Sequence, residues 1–79
     1  MNTDTDNVVV GKKQILREMK NGRVTEIRIA VDVEIDYAET MKSEARRFGV
    51  PYVISSTMRE LADEFGIDVP TGAVGKLAD

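Results

Sequence analysis

The spacing of apolar and polar residues changes repeatedly along the chain, and each change predicts a new element. Val8-Val9-Val10 is short, β-branched and uninterrupted, which is the pattern of a buried strand. In residues 12–20 (KKQILREMK) the apolar Ile15, Leu16 and Met19 gather on one side, predicting a helix that Asn21-Gly22 ends. Residues 25–31 alternate, so Ile27, Ile29 and Val31 are expected to point inward from a half-buried strand. Residues 37–48 place Tyr37, Ala38, Met41, Ala45 and Phe48 at helical spacing, with Gly49 just past the end and Pro51 beyond. Residues 51–54 predict a third strand. Thr57 and Glu60 have the spacing of a capping box for a third helix, whose inner face is Met58, Leu61, Ala62 and Phe65 and which Gly66 stops. A final strand over about 71–77 is the weakest of the set, because Gly72, Gly75 and Lys76 interrupt it.

Strands that alternate with helices imply crossover connections and a sheet covered on both faces. The expected fold is α/β: a three-layer α/β/α sandwich with a mixed, mostly parallel four-stranded sheet. Residues 1–79 are expected to form one domain, with the polar start at residues 1–6 fraying. Such folds place ligands among the loops and helix starts along one sheet edge, and Gly11 sits at one such turn.

Composition narrows the chemistry. The chain has neither cysteine nor histidine, which removes disulfides, thiol nucleophiles, imidazole acid–base catalysis and the common zinc sites. No stretch approaches the ~20 apolar residues of a membrane span. The acidic opening MNTDTDN does not resemble a targeting segment, and a reducing cytoplasm is the expected location. The net charge of −3 speaks against a phosphate-bearing partner at first sight. Its distribution speaks for one. Residues 11–30 hold six basic and two acidic side chains, a local charge of +4, while residues 31–79 hold five basic and ten acidic, −5.

Three candidate sites fare poorly. Asp32, Glu34 and Asp36 alternate around a strand end, but they match no cation-loop spacing and no glycine makes the turn such a loop needs. Solvated loop charges, with Asp36 at a helix start, explain them better. The stretch GAVGK (72–76) lacks the Ser or Thr of a phosphate loop, and too little chain follows it for a helix. Ser55, Ser56 and Thr57 have no base to activate them and suit helix capping. No catalytic constellation remains, and no cofactor or metal is expected.

The basic helix is the strongest candidate. Lys13, Arg17 and Lys20 fall within an arc of about 60°, and Lys12 and Gln14 lie beside them at the helix start, where unpaired backbone N–H groups favour an anion. Gly11 has no side chain to obstruct a ligand there. On charge alone a merely solvated helix face is the better explanation.

Three stretches in order carry a resemblance across nearly the whole chain: VVVGKKQILREMKNGRVTEIRIAVD, GVPYV and STMRELADEFGIDV. Together they resemble the kink-turn RNA-binding ribosomal protein family, the L-seven-Ae and L-thirty-e group and its small bacterial relatives. Gly11 matches the family glycine, and Lys13, Gln14 and Arg17 stand where archaeal members carry Asn, Glu and Lys. Lys-Gln at this place is similar to the bacterial branch. The resemblance implies that these side chains face the tandem sheared G·A pairs of a kink-turn, with Lys13 and Arg17 suited to guanine O6 and N7 and Gln14 to an adenine edge. It implies that Ile67, Asp68 and Val69 cover an extruded loop nucleotide, with simple core contact as the lesser alternative for the two apolar side chains. The implied candidate RNA-binding residues are Gly11, Lys12, Lys13, Gln14, Arg17, Lys20, Ile67, Asp68 and Val69. The implied partner is a structured RNA, ribosomal or riboswitch-like, with ribosomal proteins as neighbours. Departures are the short segment ahead of the first strand, Pro70-Thr71-Gly72 in place of small alanines, and Gly75-Lys76 in an apolar strand end. A protein-interaction module of the same fold, working through the acidic second half at Asp63, Glu64 and Asp68, is the alternative.

Overall fold

The chain alternates strand and helix as its pattern predicts, in a computed structural model that describes residues 7–78. The elements are β1 (Val8–Val10), α1 (Lys12–Lys20), β2 (Val24–Ile29), α2 (Ile35–Arg47), β3 (Tyr52–Ile54), α3 (Met58–Glu64) and β4 (Ala73–Leu77). Residues 1–6, expected to fray, lie outside the described residues.

The pleat of the sheet sorts its side chains into two cores. On one face Ile27 and Ile29 of β2 and Ala73 of β4 meet Ile15 and Met19 of α1 and Met41 and Ala45 of α2. On the other face Val74 of β4 and Ala30 meet Leu61 of α3, with Met58, Phe65 and Ile67 packed around them. Two helices cover one face and a single short helix covers the other, which is the three-layer sandwich.

The strand order is β1-β4-β2-β3. The sheet is mixed, but the expectation that it is mostly parallel does not hold: only β2 and β3 pair in parallel, and β4 runs antiparallel to both β1 and β2. The connection after α3 explains the reversal. It returns Thr71 to within hydrogen-bond reach of Met58, the first residue of α3, where the Thr71 N–H donates to the Met58 carbonyl (3.3 Å). The chain therefore re-enters the sheet at the edge where β3 left it, and β4 can only run back.

The strand with the weakest sequence signal is thus an interior one. Gly75 is part of the reason. A Cβ there would lie 3.3 Å from both Ile15 and Val9, so the bare backbone lets α1 settle directly on β4. A second correction concerns Val31. Strand β2 stops at Ile29, the chain turns, and Val31 is 57 % exposed instead of pointing inward.

Candidate functional site

Strands β1, β2 and β3 all run the same way, and β4 runs against them. Their ends therefore deliver four segments to one edge of the sheet: the start of α1, the β2–α2 turn, the β3–α3 turn, and the loop that enters β4. Backbone hydrogen bonds stitch these segments together. The Gly11 N–H reaches the Ala73 carbonyl (3.5 Å), Ala30 donates to Gly72 (2.9 Å) and Val31 donates to Ser56 (2.8 Å). The start of α1 is thereby bonded to the entry of β4, and residues 67–69 precede that entry in the same loop.

Gly11 is the pivot of the α1 start. Its φ of 92° is a conformation that side chains disfavour, and it lets β1 pass into the helix without an intervening loop. A Cβ added there would meet nothing within 4 Å, so the space in front of the backbone is open. Gly11 offers no side-chain cap, and the first turn holds no acidic residue. The leading N–H groups of α1 therefore keep their partial positive charge.

The basic stripe stands outward as expected. Lys13, Gln14, Arg17 and Lys20 are exposed, while Ile15 and Met19 on the opposite side are buried. Arg17 donates from Nη2 to Gln14 Oε1 (2.7 Å), which ties two of the candidate side chains into one unit. Lys12 is drawn aside: its Nζ sits 5.4 Å from the centroid of the Tyr37 ring, in cation–π contact. Burial pushes the Tyr37 phenol above its ordinary range, and the Lys12 backbone N–H at its hydroxyl partly offsets that. Below Tyr37 lies Gly72, where a Cβ would come 2.9 Å from Val33 and 3.0 Å from the ring. Gly72 is thus a packing requirement of the edge.

The second lobe of the edge is built on α3. Its start is held by the expected capping box: the Glu60 N–H donates to Thr57 Oγ1 (3.1 Å) and the Thr57 N–H to Glu60 Oε1 (2.9 Å). Asp32, weighed in the sequence as a cation ligand, is a further cap, accepting from the Met58 N–H at 2.8 Å. Nothing in the local sequence pairs Asp32 with position 58; only the parallel register of β2 and β3 brings them together. Among the described residues no three acidic side chains gather to hold a metal ion. The far end of α3 is fixed by Arg28, whose guanidinium forks onto Glu64 with two 3.0 Å bonds and lies 5.8 Å from the Phe65 ring centroid. Sequence reading passed over Arg28; its polar side chain amid alternating isoleucines was the available signal.

Beyond α3, residues 67–70 form the wall of a shallow cavity of about 110 Å³, lined by Arg59, Ala62, Asp63, Ile67, Asp68, Val69 and Pro70. Ile67 and Val69 part company here. Ile67 packs against the second core, whereas Val69 is 62 % exposed. Core contact accounts for Ile67, and nothing in the fold accounts for Val69.

The chain thus presents a basic helix face on an α/β/α sandwich, with no side-chain cap at the helix start. Comparison with known proteins agrees in fold and goes further in sequence. The chain is 31 % identical over 70 residues to RNA-binding protein YbxF of Geobacillus stearothermophilus, covering 89 % of this chain and 85 % of that protein. It is 38 % identical over 61 residues to an RNA-binding protein of Caldanaerobacter subterraneus subsp. tengcongensis, covering 77 % and 74 %. The chain belongs to the family of small bacterial proteins that includes YbxF. Among solved structures, the 15.5 kD RNA-binding protein of Giardia lamblia superposes with a TM-score of 0.85 at 21 % identity, over 94 % of this chain and 62 % of that one. A protein of unknown function from Bacillus halodurans gives 0.86 at 16 % identity, over 92 % and 73 %. At these identities the structures speak for the shared fold. No protein-family model matches the chain.

Proposed function

We propose that this protein is a non-enzymatic RNA-binding module that recognises the tandem G·A pairs of a kink-turn and stabilises its bent form, acting on ribosome-associated RNA in the cytoplasm. The observation that carries the reading is the exposed basic face of α1, whose start is bonded to the entry of β4 just beyond the Ile67–Val69 loop, in a chain related to proteins named for RNA binding. Lys13 and the Arg17–Gln14 pair reach outward from a rigid helix whose inner face is locked in the core. Cationic donors of this kind suit guanine O6 and N7, which a kinked RNA makes accessible where a regular A-form groove does not.

The charge layout gives the ligand a direction. Glu34 and Asp36 are exposed on the β2–α2 side of the same edge, so the phosphate backbone has to run along α1 and away from them. Preferential contact with the bent conformer would shift a loose internal loop toward it, in proportion to the difference in affinity between the two shapes.

Titration of a kink-turn duplex against one whose G·A pairs are replaced by Watson–Crick pairs tests the reading. Tight binding to the first and weak, salt-sensitive binding to the second is expected. Equal weak binding to both would end it, and capture of a protein partner free of nucleic acid would then favour the interaction-module alternative.

A further inference from the structure

Tyr37 lies where three elements meet. It belongs to the first turn of α2, its ring packs at the margin of the α1–α2 core, and a Cβ on Gly72 would come 3.0 Å from its Cζ and 3.1 Å from its Cε1. The ring is therefore closed in against the loop that enters β4 and has little room to turn. Both of its other contacts go to one residue of α1. The Lys12 backbone N–H donates to the Tyr37 hydroxyl, and Lys12 Nζ stands 5.4 Å from the ring centroid.

Lys12 is exposed and, among the described residues, forms no ion pair, although Glu34 and Asp36 are exposed at the start of α2. The ring, and not a carboxylate, holds it. A π face attracts the charge of an ammonium without accepting all of its N–H bonds, so donors remain for an oxygen ligand. Around the helix Lys12 stands about 80° from Lys20 and further from Lys13 and Arg17. It therefore lies outside the basic stripe, on the side toward α2, where Glu34 and Asp36 would otherwise repel a phosphate.

Resting on the RNA-binding reading above, we infer that Tyr37 is a positioning residue: its closed-in ring holds the Lys12 ammonium as a fixed phosphate contact at the α2 margin of the basic face. A loose lysine loses much of its rotamer freedom when a ligand fixes it. One that is already fixed loses less, so the same charge binds phosphate more tightly. Lys12 thereby adds a second side to the anion face that Lys13, Arg17 and Lys20 make.

The test measures the affinity of the full chain and its variants for the kink-turn duplex and for the duplex lacking G·A pairs, with circular dichroism to check each fold. Tyr37→Leu is expected to weaken kink-turn binding about two- to fivefold, the range of one exposed cation–π contact. Tyr37→Phe keeps the ring and is expected to match the unmodified protein. Lys12→Ala is expected to weaken binding by at least as much as Tyr37→Leu, and to lower the slope of log affinity against log salt by about one. Tyr37→Leu combined with Lys12→Ala is expected to be no weaker than Lys12→Ala alone. Additive losses in the double variant overturn the inference, because the ring then acts on the fold and not through Lys12. So does a loss in Tyr37→Phe equal to that in Tyr37→Leu, tighter binding by Tyr37→Leu, or a salt slope that Lys12→Ala leaves unchanged. Should Tyr37→Leu not fold, a nuclear Overhauser effect between the Lys12 ε-methylene and the Tyr37 ring protons of the unmodified protein takes its place; its absence overturns the inference. Equal binding of the two duplexes by the unmodified protein overturns the function reading and this inference with it. Discrimination of the G·A pairs that stands beside additive losses overturns the inference alone.

Discussion

The two faces of the sheet are held by different physics. On the α1–α2 face the contacts are almost wholly apolar: Ile15, Met19, Ile27, Ile29, Met41 and Ala45 fill one cluster with aromatic rings at its margin. On the α3 face the buried apolar cluster is small, and polar devices complete the job at both ends of a short helix. The capping box and Asp32 hold its start, while the Arg28 fork onto Glu64 holds its end. A dense core makes a stiff platform, so α1 can present charged side chains in a fixed geometry. A helix held by hydrogen bonds at its termini depends on a few separate contacts, each of which can be removed singly.

If that contrast is right, substitutions on the two faces should fail in different ways. The largest effect is expected for Ile15→Ala, which empties a fully buried position between α1 and Gly75. It should cost about 2–5 kcal/mol in denaturant unfolding and abolish RNA binding only by unfolding the chain. Arg28→Ala should cost about 1–3 kcal/mol, since a charge-assisted fork and the cover over Phe65 go together. Because Glu64 is partly exposed, a double-mutant cycle with Glu64→Ala should return a coupling of no more than about 1 kcal/mol. A coupling near zero would mean that Arg28 works by packing alone.

Arg17→Ala separates platform from ligand. Unfolding should be unchanged within ~0.5 kcal/mol, while kink-turn affinity should fall by about 1–3 kcal/mol with loss of discrimination against the G·A-free duplex. If only the salt dependence flattens, Arg17 touches a phosphate. Thr57→Ala removes one half of the capping box and should cost about 1 kcal/mol, with amide exchange rising in α3 and not in α1. A uniform rise would dissolve the distinction between the faces.

The smallest effect is expected at alkaline pH. Burial raises the folded-state pKa of Tyr37 above its unfolded value of 10.0, so the fold favours the neutral phenol. The associated stability is fully present below pH 10 and is lost as pH climbs through the folded pKa. Melting temperature should fall over that window, and Tyr37→Phe should blunt the fall.

Much of this molecule is legible in one dimension, and the reasons are local. Helix α1 has its expected bounds because its apolar spacing, its entry glycine and Asn21-Gly22 all act within a turn or two of themselves. The capping box at Thr57 and Glu60 and the outward stripe of Lys13, Arg17 and Lys20 follow from helical periodicity alone. What the pattern could not contain is every feature that depends on two segments meeting. The interior position of β4 and its antiparallel course are set by the return of Thr71 to Met58, and Val31 is exposed because the turn into Ser56 ends β2 early. Asp32 reads as a solvated loop charge by itself and is a helix cap only beside β3. The contrast between the anchored Ile67 and the exposed Val69 likewise appears only once α3 is docked. Periodicity determined the inward and outward sides of the three helices. Long-range hydrogen bonding and close packing decided which of the outward ones share an edge, because no short stretch of sequence carries the position of a distant strand.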